Sequence, residues 1–282
     1  ADFVTGFLKY IIEKTRKSDV YLVFDRYFEF SIKGSARSGR AGKQVSRQHK
    51  LNMKSPLPPQ QVTLNNSKNK VQLIDIICQE LLNQAQALQI EHNIAHRLVV
   101  TGSSFVPKEV HLGIIMERRD MRTSHEEADV VIPQQVVFLA DLGTENIKVI
   151  CDDTDVFLLL THYYADNRLT CNLCMEGTSP QRATIDIAAT AKKHTKIVPQ
   201  LLAAHGLSGC DTVAYLWGIG KGTILKVLLK GFKLDKLGDM DQTMEDIIEE
   251  AIAFTAACYG SKSTPTSMSE LRYSTWLSKV GR

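Results

Sequence analysis

Three short, almost wholly apolar runs constrain this chain most: VYLVF at 20–24, RLVVTG at 97–102 and IKVIC at 147–151. Runs of this length, rich in Val and Ile and without polar alternation, suit strands buried on both faces, as parallel strands usually are. The segments between them, 71–90 (VQLIDIICQELLNQAQALQI) and 126–142, carry helical patterns of apolar residues. Strand and helix in alternation predict an α/β fold with a doubly wound, mainly parallel sheet flanked by helices. The second half turns helical, over 183–206, over 222–230 and from 243 onward, before a short amphipathic end, ELRYSTWLSKV. Ligands of doubly wound sheets gather beyond the carboxyl ends of the strands, and Asp25 and the acids of 152–155 stand there.

A helical pattern also opens the chain, through Phe3, Phe7, Leu8, Tyr10, Ile11 and Ile12, with Ala rather than Met at position 1. Further sequence upstream is therefore expected. No apolar run approaches the roughly 18 residues that cross a bilayer, so the reading is of a soluble nuclear or cytoplasmic protein with no membrane partner. Six cysteines spread through 282 residues fit reduced thiols. The close pair in CNLC at 171–174 lacks a second Cys or His pair nearby, so structural cysteines are expected rather than zinc ligands.

The net charge is only +3, but its distribution is uneven. Between Glu29 and Asp75 the sequence holds nine Lys or Arg and no acid. Lys33, Arg37, Arg40, Lys43, Arg47, Lys50 and Lys54 recur every three or four positions, which on a helix makes one positive stripe suited to a phosphate backbone. Gly34, Gly39 and Gly42 disfavour that helix by about 1 kcal/mol each relative to Ala, and a solvated charged loop is the alternative.

Acids cluster at the ends of apolar elements in HEEAD (125–129), CDDTD (151–155) and GCD (209–211). One Asp before a helix is an ordinary N-cap, but three within four residues exceed what a cap needs. A hard divalent cation such as Mg²⁺ is held by such oxygen-rich groups. Downstream of Asp211, the stretch WGIGKGT sets Gly218, Gly220 and Gly222 around Lys221 and ahead of Thr223. It is either a glycine-rich interhelix turn or a set of amides turned toward a phosphate. It lacks the GxxxxGK[ST] spacing of a nucleotide-binding loop.

Taken in order, VYLVFDR, EEAD, DDTD and LSGCDTVAYLWGIGKGT resemble the flap endonuclease branch of the PIN-like nuclease superfamily. The resemblance is closest to a group of largely uncharacterised animal proteins that share FDRY, HEEAD, DTDV and GCDT, and it covers most of the chain. It implies metal ligation by Asp25, Glu127, Asp129, Asp153, Asp155 and Asp211, with the six acids at one end of the sheet. It also implies a catalytic pair, Lys33 and Arg40, on a basic arch, and backbone contact through a K⁺ ion at the Gly218–Thr223 turn. The expected cofactors are two Mg²⁺ or Mn²⁺ ions, one activating water and one stabilising the leaving oxygen. The expected partner is nucleic acid, DNA in preference to RNA, bound in addition by Arg37, Lys43, Arg47 and Lys50 and by Gly218, Gly220, Lys221, Gly222 and Thr223.

The resemblance organises the chain as a PIN-like nuclease domain over 1–200, with an arch-like loop at 33–70, and a helix-two-turn-helix region with C-terminal helices over 201–282, packed as part of the same domain. The implied function is structure-selective hydrolysis of phosphodiester bonds. A nuclease-like fold that binds nucleic acid or protein without cutting is the alternative. Two departures from the family stand out. Arg26 occupies a position usually held by Gly, and the family's first strand, which ends in a further metal-binding Asp, has no counterpart before Asp25.

Overall fold

The computed structural model describes residues 2–28, 47–52, 59–210, 213–261 and 264–280. About half of the chain is helical, and the rest includes two mixed sheets flanked by helices. Two compact units divide it, 1–135 and 136–282.

In the first unit, helix α1 (Asp2–Thr15) leads to strand β1 (Val20–Val23), and a short helix α2 (Gln60–Leu64) precedes the long helix α3 (Ser67–His92). Asn66 starts α3 by accepting hydrogen bonds from the amides of Lys68 and Asn69, and Asn93 ends it in the left-handed region at φ 49°. Strand β2 (Leu98–Thr101) then pairs in parallel with β1, from Val20 opposite Leu98 to Val23 opposite Thr101. All four residues of β2 are buried, as its unbroken apolar run requires. Strands β3 (Lys108–His111) and β4 (Ile114–Glu117) add an antiparallel hairpin in the order β1-β2-β3-β4. Its two-residue turn, Leu112 and Gly113, has positive φ at both positions, matching the twist of the strands it joins. The core packs Leu8 and Ile11 of α1 and Ile77, Leu81 and Ala85 of α3 on Leu98, Val100 and Val110 of the sheet.

Helix α4 (Ala128–Asp141) spans the division between the units. In the second unit, strand β5 (Asn146–Ile150), helix α5 (Thr154–Asp166) and strand β6 (Asn172–Glu176) form a parallel crossover, and β7 (Ile185–Asp186) pairs antiparallel to β6. Strand β5 buries only Ile147 and Val149, so it is covered on one face among the described residues, unlike β2. Helices α6 (Ile187–Lys193), α7 (Leu201–Ser208), α8 (Lys221–Leu229), α9 (Met244–Cys258) and α10 (Met268–Val280) complete the unit. Its main core joins Leu201 and Ala204 of α7 to Ile224, Val227 and Leu228 of α8 and Phe254 of α9.

The expected mainly parallel sheet is thus observed as two mixed sheets, because the β3–β4 hairpin and β7 return by short turns that need no crossover. The single helical segment expected over 183–206 is broken. Asp186 caps α6 by accepting from the amide of Ala189 at 2.8 Å, α6 ends at Lys193, and a short 3₁₀ turn, Val198–Gln200, with Pro199 at its second position, leads into α7. The other expected strands and helices lie within a few residues of their predicted spans.

Leu81 is fully buried between α1 and the sheet. Leu81→Ala is expected to lower unfolding free energy by about 2–5 kcal/mol, as transfer and cavity terms add, read from the shift in a urea denaturation midpoint.

Candidate functional site

In the first unit the chain leaves β1 through Phe24, whose amide still bonds to the Thr101 carbonyl, and reaches Asp25. Asp25 Oδ1 accepts a 2.9 Å hydrogen bond from the amide of Ala128, the first residue of α4. A carboxylate 103 positions away in sequence thereby satisfies an unpaired amide at the positive end of the helix. The same contact brings Asp25 to the turn that carries Glu127 and Asp129.

Arg26, the residue expected to be Gly from the resemblance, fixes this junction. Its amide bonds to the Glu126 carbonyl at 2.7 Å. Its side chain is 2% exposed, and the guanidinium donates to four backbone carbonyls: Gly102 at 3.1 Å, Ser104 at 2.8 Å, Thr123 at 2.7 Å and His125 at 2.9 Å. The Phe105 ring lies 5.5 Å from the guanidinium carbon. Burial lowers the Arg26 pKa from its usual value, but a guanidinium stays charged in proteins, and the planar fork suits divergent carbonyls. Arg26 therefore positions the 123–128 turn. The departure from glycine was its only sequence signal.

In the second unit β5 delivers three acids, and each has a different role. Asp152 Oδ1 accepts from the Thr178 amide at 3.1 Å and from Arg182 at 2.8 Å, while Oδ2 accepts from the Thr178 hydroxyl. These bonds, Thr178 foremost, hold the Asp152 carboxyl below its usual pKa. Asp153 is the N-cap of α5, with Oδ1 accepting from the Asp155 amide at 2.8 Å. Asp155 Oδ1 lies 3.3 Å from His205 Nε2 and 3.9 Å from Lys221 Nζ. Lys221 Nζ is in turn 2.8 Å from His205 Nδ1. An ammonium has only protons to give, so Nδ1 accepts from Lys221 and the ring proton sits on Nε2, facing Asp155. His205, on α7, and Lys221, at the start of α8, thus share the acid that begins α5. The pairing joins three separate helices, and no local spacing announces it.

Asp211 lies outside the described residues, as do Lys33, Arg37, Arg40, Lys43 and Lys54 of the expected stripe. Arg47 and Lys50 are described, and there the chain is neither helix nor strand. Asn69 of α3 bonds to the Arg47 carbonyl and the His49 amide, and Gln72 to the His49 carbonyl and the Leu51 amide. The helical stripe expected over these residues is replaced by a segment pinned along α3, with Arg47 and Lys50 exposed. Two side-chain amides each bond a donor and an acceptor of the passing chain, which removes the need for helical hydrogen bonds.

At the glycine turn, Gly218 adopts φ +72°, a conformation glycine takes without strain. Gly220 is the N-cap of α8, and its carbonyl accepts the amides of Thr223 and Ile224. A Cβ at Gly220 or Gly222 would meet nothing within 4 Å.

The six expected ligands are all carboxylates, a donor set that suits Mg²⁺ or Mn²⁺. Among the described residues, no three His, Cys, Asp or Glu side chains form a group that could hold a metal ion. No helix among them is long and apolar enough to cross a membrane. Burial raises the thiol pKa of Cys78 to about 12 and of Cys258 to about 11, which keeps both protonated and poorly nucleophilic. Compared with models of known protein families, with curated proteins and with solved structures, the chain matches none.

Arg26→Met, which keeps bulk but strands four carbonyls, is expected to cost about 3 kcal/mol in chemical denaturation. The Asp152 carboxyl is expected to titrate below its ordinary 3.8 by NMR, and Arg182→Ala to move it partway back. Since the folded pKa is the lower one, the stabilisation is present above the unfolded value and lost as pH falls through the folded value.

Proposed function

We propose that this chain is a metal-dependent, nuclease-like domain that binds nucleic acid and hydrolyses phosphodiester bonds. The observation that supports this reading best is the bond from the Ala128 amide to Asp25, which joins an acid at the end of a parallel strand to the Glu127–Asp129 turn. Asp153 and Asp155 stand at the corresponding exit of β5.

In this reading Asp25, Glu127 and Asp129, with Asp153, Asp155 and Asp211, hold Mg²⁺ or Mn²⁺. The metal supplies Lewis-acid stabilisation of developing charge and a water of lowered pKa. Lys33 and Arg40 orient the scissile phosphate. Arg37, Lys43, Arg47 and Lys50 attract the backbone, and the Gly218–Thr223 turn, with Lys221 and a K⁺ ion, receives a further phosphate. Arg26 acts only through the turn it fixes.

A second reading, a fold that binds without cutting, is favoured by one contact. Asp155 already faces His205 and Lys221, so a cation there has to displace a protein donor.

Asparagine substitutions separate capping from metal binding, because Asn keeps the acceptor oxygen that caps the helix and loses the charge. Asp153→Asn and Asp25→Asn are expected to fold normally and to reduce Mn²⁺-dependent cleavage of flapped or single-stranded DNA by about 100-fold or more. Salt-sensitive binding with no cleavage by the parent protein, and no Mn²⁺ heat in calorimetry, selects the second reading. Lys50→Glu with Arg47→Glu is expected to flatten the salt dependence of binding by about two phosphate contacts.

A further inference from the structure

We infer that the outer edge of β4 is where two copies of this chain meet, their β4 strands pairing antiparallel about a two-fold axis at Met116. This does not rest on the nucleic-acid reading. Among the described residues β4 ends its sheet, so no strand pairs with its far side.

The ladder settles which groups that side offers. In an antiparallel pair, opposed residues that exchange hydrogen bonds alternate with opposed residues that do not. The Arg118 amide bonds to the Pro107 carbonyl at 2.8 Å, one step beyond the Glu117–Lys108 pair, so Met116 and Ile114 are the residues of β4 that bond to β3. The amides and carbonyls of Ile115 and Glu117 therefore point outward. Gly113 adds nothing to them, because its amide bonds to Gln89 of α3 at 3.0 Å and its carbonyl accepts from Gln86 of α3 at 2.9 Å. After Glu117 the chain leaves the strand for a 3₁₀ turn at Arg119. The open groups are thus symmetric about Met116.

That symmetry identifies the occupant. When Ile115 pairs with Glu117 of a second copy, and Glu117 with the second copy's Ile115, every open group of both edges finds a partner. The alternative register, Ile115 opposite Ile115, sets Glu117 against Gly113, whose groups are taken. Side chains agree with the pairing. Ile114 is 60% exposed, Ile115 37% and Met116 42%, on both faces of an edge that carries no Pro or Lys to protect it. Ile115 is in register with the buried Val110, so a second copy extends that core row across the axis. The strand's acid, Glu117, already pairs with Arg119 at 3.2 Å, so the axis gathers no unbalanced charge. An isologous pair uses up both edges, and assembly stops at two copies.

Sedimentation velocity of the chain at micromolar concentration is expected to show a dimer. Met116→Lys sets like charges across the axis but faces Glu109 within its own hairpin, so the fold should persist by circular dichroism while the dimer dissociation constant rises more than about tenfold. Met116→Cys tests the register, since Cα atoms opposed at the axis lie about 4.5 Å apart, within disulfide range. Diamide should cross-link that variant, but neither the parent chain nor Ile114→Cys, whose two copies lie about 14 Å apart along the strands. A monomeric parent overturns the inference. So does a dimer that Met116→Lys leaves intact, or cross-linking of Ile114→Cys as readily as of Met116→Cys.

Discussion

The acidic end of the first unit depends on a buried cation that touches no acid in its described hydrogen bonds. Arg26 places its guanidinium among four carbonyls from two loop segments and its amide on a fifth. Carbonyl dipoles converge on the charge and compensate its desolvation, while the rigid fork fixes the angle between the 102–105 and 123–125 segments. Asp25, one residue earlier, then meets the first amide of α4. Lysine, with one nitrogen, cannot span these carbonyls, and glycine supplies none of the bonds.

The same device, a strand-end carboxylate at a helix start, recurs in the second unit with a different outcome. There Asp153 caps α5 within its own segment, and Asp155 is drawn to donors from two other helices. Three adjacent acids thus reach three kinds of partner: a hydroxyl and guanidinium, a helix amide, and an imidazole backed by an ammonium. Charge alone marks such a cluster in a sequence, while the partners of Asp152 and Asp155 come from residues 26 to 66 positions away.

That distinction explains what was legible. Apolar period sufficed for β1, β2, β5, α3 and α4, because each buries a contiguous stretch whose pattern is local. The β3–β4 hairpin was not, since Ile114, Ile115 and Met116 face solvent and their strand is set by a turn at Leu112 and Gly113. The break at 194–200 was hidden for a related reason: the apolar pattern continues across it, and only Pro199 and the end of α6 interrupt the helix. Asp25 and the 125–129 acids stand out by position, and Asp25 accepts the Ala128 amide that begins the helix around whose start those acids cluster. Arg26 stands out in the sequence only as a departure from glycine, and His205 not at all, since a lone histidine on a helix carries no local sign of its partners.

Lys221 links the two halves of the functional reading. Its ammonium is shared between the His205 ring and Asp155, and it begins the helix behind the glycine turn. Its charge lies 3.9 Å from the carboxylate and its side chain is about half exposed, so the ion pair is weakly held and open to exchange. On the proposed function, a phosphate drawn to the turn would compete with Asp155 for this lysine. Were the phosphate to take it, His205 would lose its donor on Nδ1 and Asp155 its nearest ammonium, which would leave more negative potential where a divalent ion is proposed to sit. On that proposal, polyanion binding and cation binding would assist one another through a single side chain, since the lysine that now faces Asp155 would become the phosphate's contact.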